Sequence, residues 1–266
     1  MHKKNLVLNC IIIVLIFVLI FFVNIVYSIF SNKLSLESYA ENLYSNNISD
    51  IFKIDKIVLF STCDSDSIIN SNSTTTINNL SQFTDIAIFI NNSTTDFTLK
   101  NTLKSVSLKD ISFNEKPSLG TPNLYYKSLN DFATSKVNPD NIINNSLDFS
   151  ISSDNEIDYS NPILFNNCAN PITLSYVNSK ILDNYTLSNT NNSLTHDGSL
   201  LKNCNIVLND LSCTLSFSIY IENNLGNKFK CPIYLKIPLS NESNSIYDGT
   251  FTYTYNPNYS FFLYEF

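Results

Sequence analysis

Two stretches near the C-terminal end of the chain alternate strictly between apolar and polar residues. The odd positions of residues 211–221 are Leu, Cys, Leu, Phe, Ile and Ile, and those of residues 229–239 are Phe, Cys, Ile, Leu, Ile and Leu. Period two over this length predicts two half-buried antiparallel strands, joined by a hairpin loop at Gly226. Pro232 and Pro238 cannot donate to a ladder, so we expect the second strand to lie at an edge or to turn those positions toward solvent.

Shorter apolar runs predict further strands. They occur at residues 57–60 and 85–90, with alternation again at residues 172–176 and 253–255. Residues 204–208, followed by Asn-Asp, predict another strand and a two-residue turn into the first long strand. Short strands at this spacing are typical of a sandwich.

Polar stretches divide these strands into regions. Residues 65–81 are rich in Ser, Thr and Asn, which predicts a loop, and residues 134–160 predict a linker or long loop. We therefore expect a β-rich region at 55–133 and a β-sandwich domain at 161–266, for which an immunoglobulin-like topology is favoured.

Residues 6–30 form the most apolar segment and carry no charge. The run is long enough for a transmembrane helix and long for a signal that is cut off, although cleavage after Ser28 is an alternative. Lys3 and Lys4 precede it, so we expect a cytoplasmic stub at residues 1–5 and residues 31–266 outside the membrane. Leu36, Tyr39, Ala40, Leu43 and Tyr44 then predict an amphipathic helix over residues 34–46, within a helical juxtamembrane stalk at 31–54. The expected fold is thus mainly β, preceded by two helices.

Composition restricts the chemistry. All 16 basic residues are Lys, so the chain lacks the planar fork that Arg offers to phosphate and carboxylate groups. The net charge of −7 makes nucleic acid a poor partner. Heavy use of Asn, Ile, Ser and Tyr indicates AT-rich codons, and we expect a bacterial source with a single membrane.

Cysteine and histidine offer few sites. Five cysteines follow the anchor; Cys204, Cys213 and Cys231 are candidates for a disulfide outside the cell, or for small core residues. The sequence contains no CxxC spacing, so it gives little support to a zinc site. His196 is the only imidazole after the anchor, and its neighbour Asp197 places it in a turn, which favours a surface role over catalysis. The acidic pairs at 64–66 and 154–156 are interpreted as solvated loop charge. We expect no catalytic, metal-binding or cofactor-binding residues.

Aromatic residues crowd the C-terminal end. Tyr253, Tyr255, Tyr259 and Tyr264 are candidates for partner binding, because exposed tyrosines stack on sugars and anchor partner proteins. The alternative is that they close the core.

The sequence therefore predicts a single-pass membrane protein with a non-catalytic extracytoplasmic β domain that binds a cell-envelope component or a partner protein. The order of basic leader, apolar helix, amphipathic extension and β domain also resembles that of pilins, which implies a surface assembly subunit. Against it, Asn5 replaces the leader glycine and Cys10 stands where the helix glutamate would fall. An envelope enzyme is the third hypothesis.

Overall fold

The computed structural model describes residues 22, 23, 25, 48–70, 74–92, 98–188, 194–257 and 259–264. The chain divides into two units, Met1–Ile48 and Ser49–Phe266, and the fold described below is that of the second. The predicted stub at 1–5, almost all of the anchor at 6–30 and the helix at 34–46 lie outside the described residues. Within them, no helix has the length and apolar character needed to cross a bilayer.

The second unit is built almost entirely from β-strands, as the alternation predicts. The one α-helix among its described residues, α1, is short and comprises Ser199–Asn203. The twelve strands of the described chain are β1 (Ile48–Ile69), β2 (Thr75–Asn92), β3 (Leu103–Glu115), β4 (Thr121–Tyr126), β5 (Leu147–Ser152), β6 (Ile163–Phe165), β7 (Ile172–Leu182), β8 (Tyr185–Leu187), β9 (Thr214–Asn223), β10 (Lys228–Lys236), β11 (Phe251–Tyr255) and β12 (Ser260–Leu263).

These strands form one curled sheet around one core. Their order is β4-β7-β2-β1-β12-β10-β9-β3-β5-β6, with β11 paired to β1 and β8 paired to β2. The ring of Tyr126 on β4 meets the ring of Phe149 on β5 edge to face, with centroids 6.2 Å apart. Strands close to the two ends of the sheet therefore touch through their side chains, and the apolar faces of both halves become interior.

The predicted C-terminal hairpin is confirmed. Strands β9 and β10 pair in antiparallel fashion, with Ile221 opposite Phe229 and Leu215 opposite Leu235. All four of these side chains are buried. Strand β12 pairs with β10 only at Phe229 and Lys230, ahead of Pro232, so the proline takes no donor out of that ladder.

Two predicted loops contain strands. Residues 65–81 belong mostly to β1 and β2, which pair from Phe52–Asn92 to Ile69–Thr75. Thr75 and Ile77 are both buried there. Threonine is a good strand former despite its polarity, so a Thr-rich stretch can form a strand where a loop was predicted. The predicted linker at 134–160 contains β5, whose Phe149 is buried and pairs with Val106. The predicted helical stalk at 31–54 is wrong over its last residues, because β1 begins at Ile48.

The predicted strand at 204–208 is wrong. Helix α1 ends at Asn203, Asn205 has a left-handed φ of 57°, and Leu208–Leu211 form a 3₁₀ turn. Leu200, Leu201 and Cys204 have helical spacing and are buried, so the helix satisfies these apolar positions better than a strand would.

The C-terminal region also differs from a self-contained immunoglobulin-like sandwich. Strand β7 pairs with β2 and β4, whereas β9 pairs with β3. Residues 161–266 therefore share their sheet with strands from residues 48–152.

Candidate functional site

Three of the four candidate tyrosines, Tyr253, Tyr255 and Tyr259, pack against the core. Strand β11 pairs with β1 so that Tyr253 is opposite Leu59 and Tyr255 is opposite Ile57, both of which are buried. The two tyrosine rings contact each other with centroids 4.7 Å apart and pack, half-buried, against the core. The Tyr255 hydroxyl donates to the Lys236 carbonyl at 2.7 Å. These positions match the alternative in which the tail closes the core.

Tyr259 completes hydrogen bonding along β10. Its hydroxyl donates to the Tyr234 carbonyl oxygen and accepts from the Tyr234 N–H at 3.3 Å. One side chain thus satisfies both backbone groups of a residue beyond the stretch that β12 covers. The role of Tyr259 in this structure is to pair the main chain.

Tyr264 belongs to a different environment, on the outer face of the sheet. Its ring meets that of Tyr220 on β9 edge to face, with centroids 5.4 Å apart. The ammonium groups of Lys230 and Lys109 lie 4.9 and 5.4 Å from the Tyr220 centroid. We call Tyr220, Tyr264, Lys109, Lys230 and Asp110 the Tyr220 cluster.

Asp110 fixes the position of the Tyr220 ring. The register between β3 and β9 shifts between Lys109 and Ser112, and Asp110 adopts a left-handed φ of 57° there. Its carboxylate accepts from the Tyr220 hydroxyl at 2.8 Å and pairs with Lys230 at 3.1 Å. The Tyr220 hydroxyl is the main reason that the pKa of Asp110 is lowered. The cluster therefore presents an ordered ring near two cations.

The cysteines show no reactive environment. All five cysteines of the described chain are free thiols, including Cys204, Cys213 and Cys231, for which the sequence allowed a disulfide. These three are buried, and burial raises the pKa of each thiol, to about 11 for Cys204 and about 12 for Cys231. Such thiols behave as small hydrophobic residues.

The structure brings together three polar side chains that the sequence does not connect. Ser67 Oγ lies 3.1 Å from His196 Nε2, and Asp64 Oδ1 lies 3.3 Å from His196 Nδ1. The imidazole thus bridges a hydroxyl and a carboxylate through its two nitrogens. We call Ser67, His196 and Asp64 the His196 triad.

A β-bulge makes this arrangement possible. Side chains three residues apart on a regular strand point to opposite faces, so Asp64 and Ser67 should not reach the same group. The register between β1 and β2 shifts between Asp64 and Asp66. The extra residue lies in β2, where Leu80 and Asn79 together face Ser65 of β1 and Asn79 adopts a left-handed φ of 52°. A bulge increases the local twist of the paired strands, and at this point both Asp64 and Ser67 contact His196.

The turn that carries His196 is held from the other side. Asp197 accepts from the backbone N–H of Ser199 at 2.9 Å, at the start of α1, and takes no part in the triad. The Gly198 N–H donates to the Gly249 carbonyl at 2.7 Å. A Cβ on Gly198 would lie only 2.2 Å from the Ile246 carbonyl oxygen, so only glycine allows this approach.

Asp64 is held in turn by a neighbouring loop. Its Oδ2 accepts from Ser135 Oγ at 2.7 Å, and its Oδ1 accepts from the Ser65 N–H at 2.8 Å. The loop that carries Ser135 is fixed by a buried ion pair between Lys127 and Asp85, whose charged atoms lie 3.3 Å apart and whose side chains are each 1% exposed.

The Lys127–Asp85 pair is saturated with hydrogen bonds. Lys127 Nζ also donates to the carbonyl oxygens of Thr134, at 3.0 Å, and Lys136. Asp85 accepts from Ser175 and from the Ala133 N–H. Burial raises the pKa of Asp85 and lowers that of Lys127, and their contact opposes both shifts. A cleft of about 280 Å³ opens beside this loop, but the three Lys127 donors already have protein acceptors. The pair therefore serves to order the loop.

The sequence offers partial signals for these groups. Tyr220 and Lys230 stand at polar positions of the predicted hairpin, so their exposure on one face follows from the alternation. The bulge beside residues 64–66 has no such signal, and one serine among many cannot be paired with His196 from sequence. No group of three or more metal-ligating side chains occurs among the described residues. Comparison with known proteins finds no matching family model, curated protein or solved structure.

Proposed function

We propose that the chain is a single-pass membrane protein, held in the bilayer by residues 6–30, whose extracytoplasmic β domain binds a component of the cell envelope. The Tyr220 cluster is the observation that supports this proposal. Binding at this surface requires no chemical step. The membrane topology rests on the apolar run and on Lys3 and Lys4.

The chemistry of the cluster favours one kind of partner. An aromatic ring offers a flat surface to a sugar, and a lysine ammonium is a point charge that suits phosphate or carboxylate groups. The ammonium groups of Lys109 and Lys230 both lie near one ring in a protein whose net charge is −7. A wall polymer that carries both sugar rings and anionic groups matches this combination: Lys230 is already paired with Asp110, and Lys109 is the cation that an anionic group would meet.

The first experiment is surface cross-linking on intact cells that express the full-length chain, followed by mass spectrometry. Capture of wall polymer supports the proposal, and capture of one envelope protein would replace the polymer by a protein partner. Cross-links only between copies of the chain would favour an assembly subunit. A chain that no membrane-impermeant reagent reaches would overturn the topology.

A second experiment tests the surface itself. The full-length protein in detergent should sediment with isolated cell walls, and less so at high salt, because exposed charges are screened. Tyr220→Ala and the double variant Lys109→Ala/Lys230→Ala should weaken sedimentation at least several-fold. Lys53→Ala removes an exposed lysine from β1 and serves as the control. Equal sedimentation of all variants contradicts the proposed surface.

A further inference from the structure

The His196 triad has the order of contacts that activates a serine. Acyl-transfer sites of this type place a serine hydroxyl on one imidazole nitrogen and a carboxylate on the other. In this chain Ser67 Oγ faces Nε2 and Asp64 Oδ1 faces Nδ1. The carboxylate favours the tautomer with its proton on Nδ1, which leaves Nε2 free to accept the Ser67 proton.

The supporting contacts hold each member of the triad in place. Ser135 and the Ser65 N–H fix the Asp64 carboxylate, and the Gly198–Gly249 contact fixes the turn before α1. Beside the bulge in β2, Asp64 and Ser67 of β1 both reach the imidazole. Two sets of contacts, one on the Asp64 carboxylate and one on the turn that carries His196, therefore support the site, and catalytic groups need such support for their geometry.

We infer that Ser67 is a nucleophile activated by His196 and Asp64, and that the site cleaves an ester that joins a small acyl group to a large envelope polymer. This activity goes beyond the polymer binding assigned to the Tyr220 cluster, and the choice of an envelope polymer as its substrate rests on the proposed function. The size of the substrate follows from exposure: Ser67 is exposed, and the side chains of His196 and Asp64 are 37% and 42% exposed. An open site of this kind accepts a group that projects from a polymer too large for a pocket.

The reaction proceeds in two balanced steps. Ser67 Oγ attacks the ester carbonyl carbon while His196 Nε2 takes the hydroxyl proton; the carbon–oxygen bond to the polymer then breaks, and the proton passes to the departing polymer oxygen. Water next attacks the acyl group on Ser67, with His196 again taking and returning the proton. The products are a free polymer hydroxyl and a carboxylic acid, and no redox partner is required.

The test uses a covalent serine probe, a fluorophosphonate, on the full-length protein in detergent, with peptide mass spectrometry to locate the label. We expect Ser67 to be labelled, and p-nitrophenyl acetate to be hydrolysed with loss of the activity in Ser67→Ala. His196→Ala should slow labelling by about 100-fold or more, the lower end of what a general base contributes. Ser112→Ala removes an exposed serine hydrogen-bonded to Asn114 and Ser216 and should change nothing.

Two controls keep the result interpretable if a variant folds poorly. Added imidazole should restore part of the labelling rate in His196→Ala, which no purely structural role of the histidine explains. The circular dichroism of each variant must match that of the parent. Labelling of Ser67 no faster than that of Ser112 in the parent protein, or a rate that His196→Ala leaves unchanged, overturns the inference.

Discussion

Ser135 Oγ donates to Asp64 Oδ2 at 2.7 Å, and this contact joins the loop after β4 to the carboxylate that faces His196. Removal of the hydroxyl in Ser135→Ala leaves Asp64 with fewer restraints on its orientation. We expect slower fluorophosphonate labelling of Ser67, with Ser135→Thr restoring most of the rate because threonine keeps the hydroxyl. Equal rates in Ser135→Ala and the parent would show that this contact does not position the triad.

Loss of Lys127 should strongly destabilise the fold. Lys127→Met leaves the Asp85 carboxylate buried without its cation, and removal of one partner of a buried ion pair costs about 3–5 kcal/mol. Urea unfolding of the full-length chain in detergent measures this cost. Lys53→Met, on an exposed position of β1, is the control and should change stability by no more than about 0.5 kcal/mol. A loss below about 1 kcal/mol in Lys127→Met would contradict the role given to the pair.

Tyr259 offers a test with a closely matched control. Tyr259→Phe removes the hydroxyl that pairs with the Tyr234 backbone, and we expect a loss of about 1 kcal/mol. Amide hydrogen exchange at Tyr234 should become faster. Tyr234→Phe also removes one tyrosine hydroxyl, but from a side chain that is 63% exposed, and should change neither quantity. If the amide of residue 234 exchanges at the same rate in Tyr259→Phe and Tyr234→Phe, the Tyr259 hydroxyl does not protect that amide.

The buried thiols should be unreactive in the folded protein. Burial raises the pKa of Cys231 to about 12 and that of Cys204 to about 11, so almost no thiolate is present at pH 8. We expect a disulfide-exchange reagent to modify these cysteines only after denaturation, as followed by peptide mass spectrometry. Rapid modification of Cys231 in the native chain would show that this part of the core opens.

Asp110 should titrate below the usual range of aspartate. Its pKa is lowered chiefly because the Tyr220 hydroxyl donates to the carboxylate. A carboxyl whose folded-state pKa is depressed stabilises the fold above its unfolded pKa of about 3.9, and this contribution is lost as pH falls through the folded pKa. The effect on stability is small, since the Asp110 side chain is 55% exposed.

The carboxyl carbon resonance of Asp110 measures this shift directly. Tyr220→Phe removes the donor, so we expect the midpoint of the titration to move up toward the ordinary value. Lys53→Ala should leave the midpoint where it is. A midpoint that Tyr220→Phe does not move would assign the lowered pKa to Lys230 instead.

The strands were predictable wherever one face is buried and the other is solvated. Residues 215–221 show this directly, because every odd position is apolar and buried. Prediction failed where polar strand formers carry the pattern, as at Thr75. It failed also where a turn buries the apolar residues that a strand would bury, as at Cys204 and Ile206 in the predicted strand 204–208. The His196 triad could not be predicted for a different reason. Ser67 and His196 lie 129 residues apart, and they meet only through the pairing of strands in the folded chain.

Strand β1 begins at Ile48, directly after the segment that contains the proposed anchor, and pairs with β2 from Phe52 to Ile69. In a protein tethered to a membrane and bound to a wall, tension enters the β domain at this point. A pull directed along the axis of β1 loads its many ladder bonds together, whereas a pull across the strand would break them one after another. Resistance to force is set by the rate of unfolding rather than by equilibrium stability. In the proposed topology, the long first strand would resist a load that arrives at Ile48 along the axis of the strand.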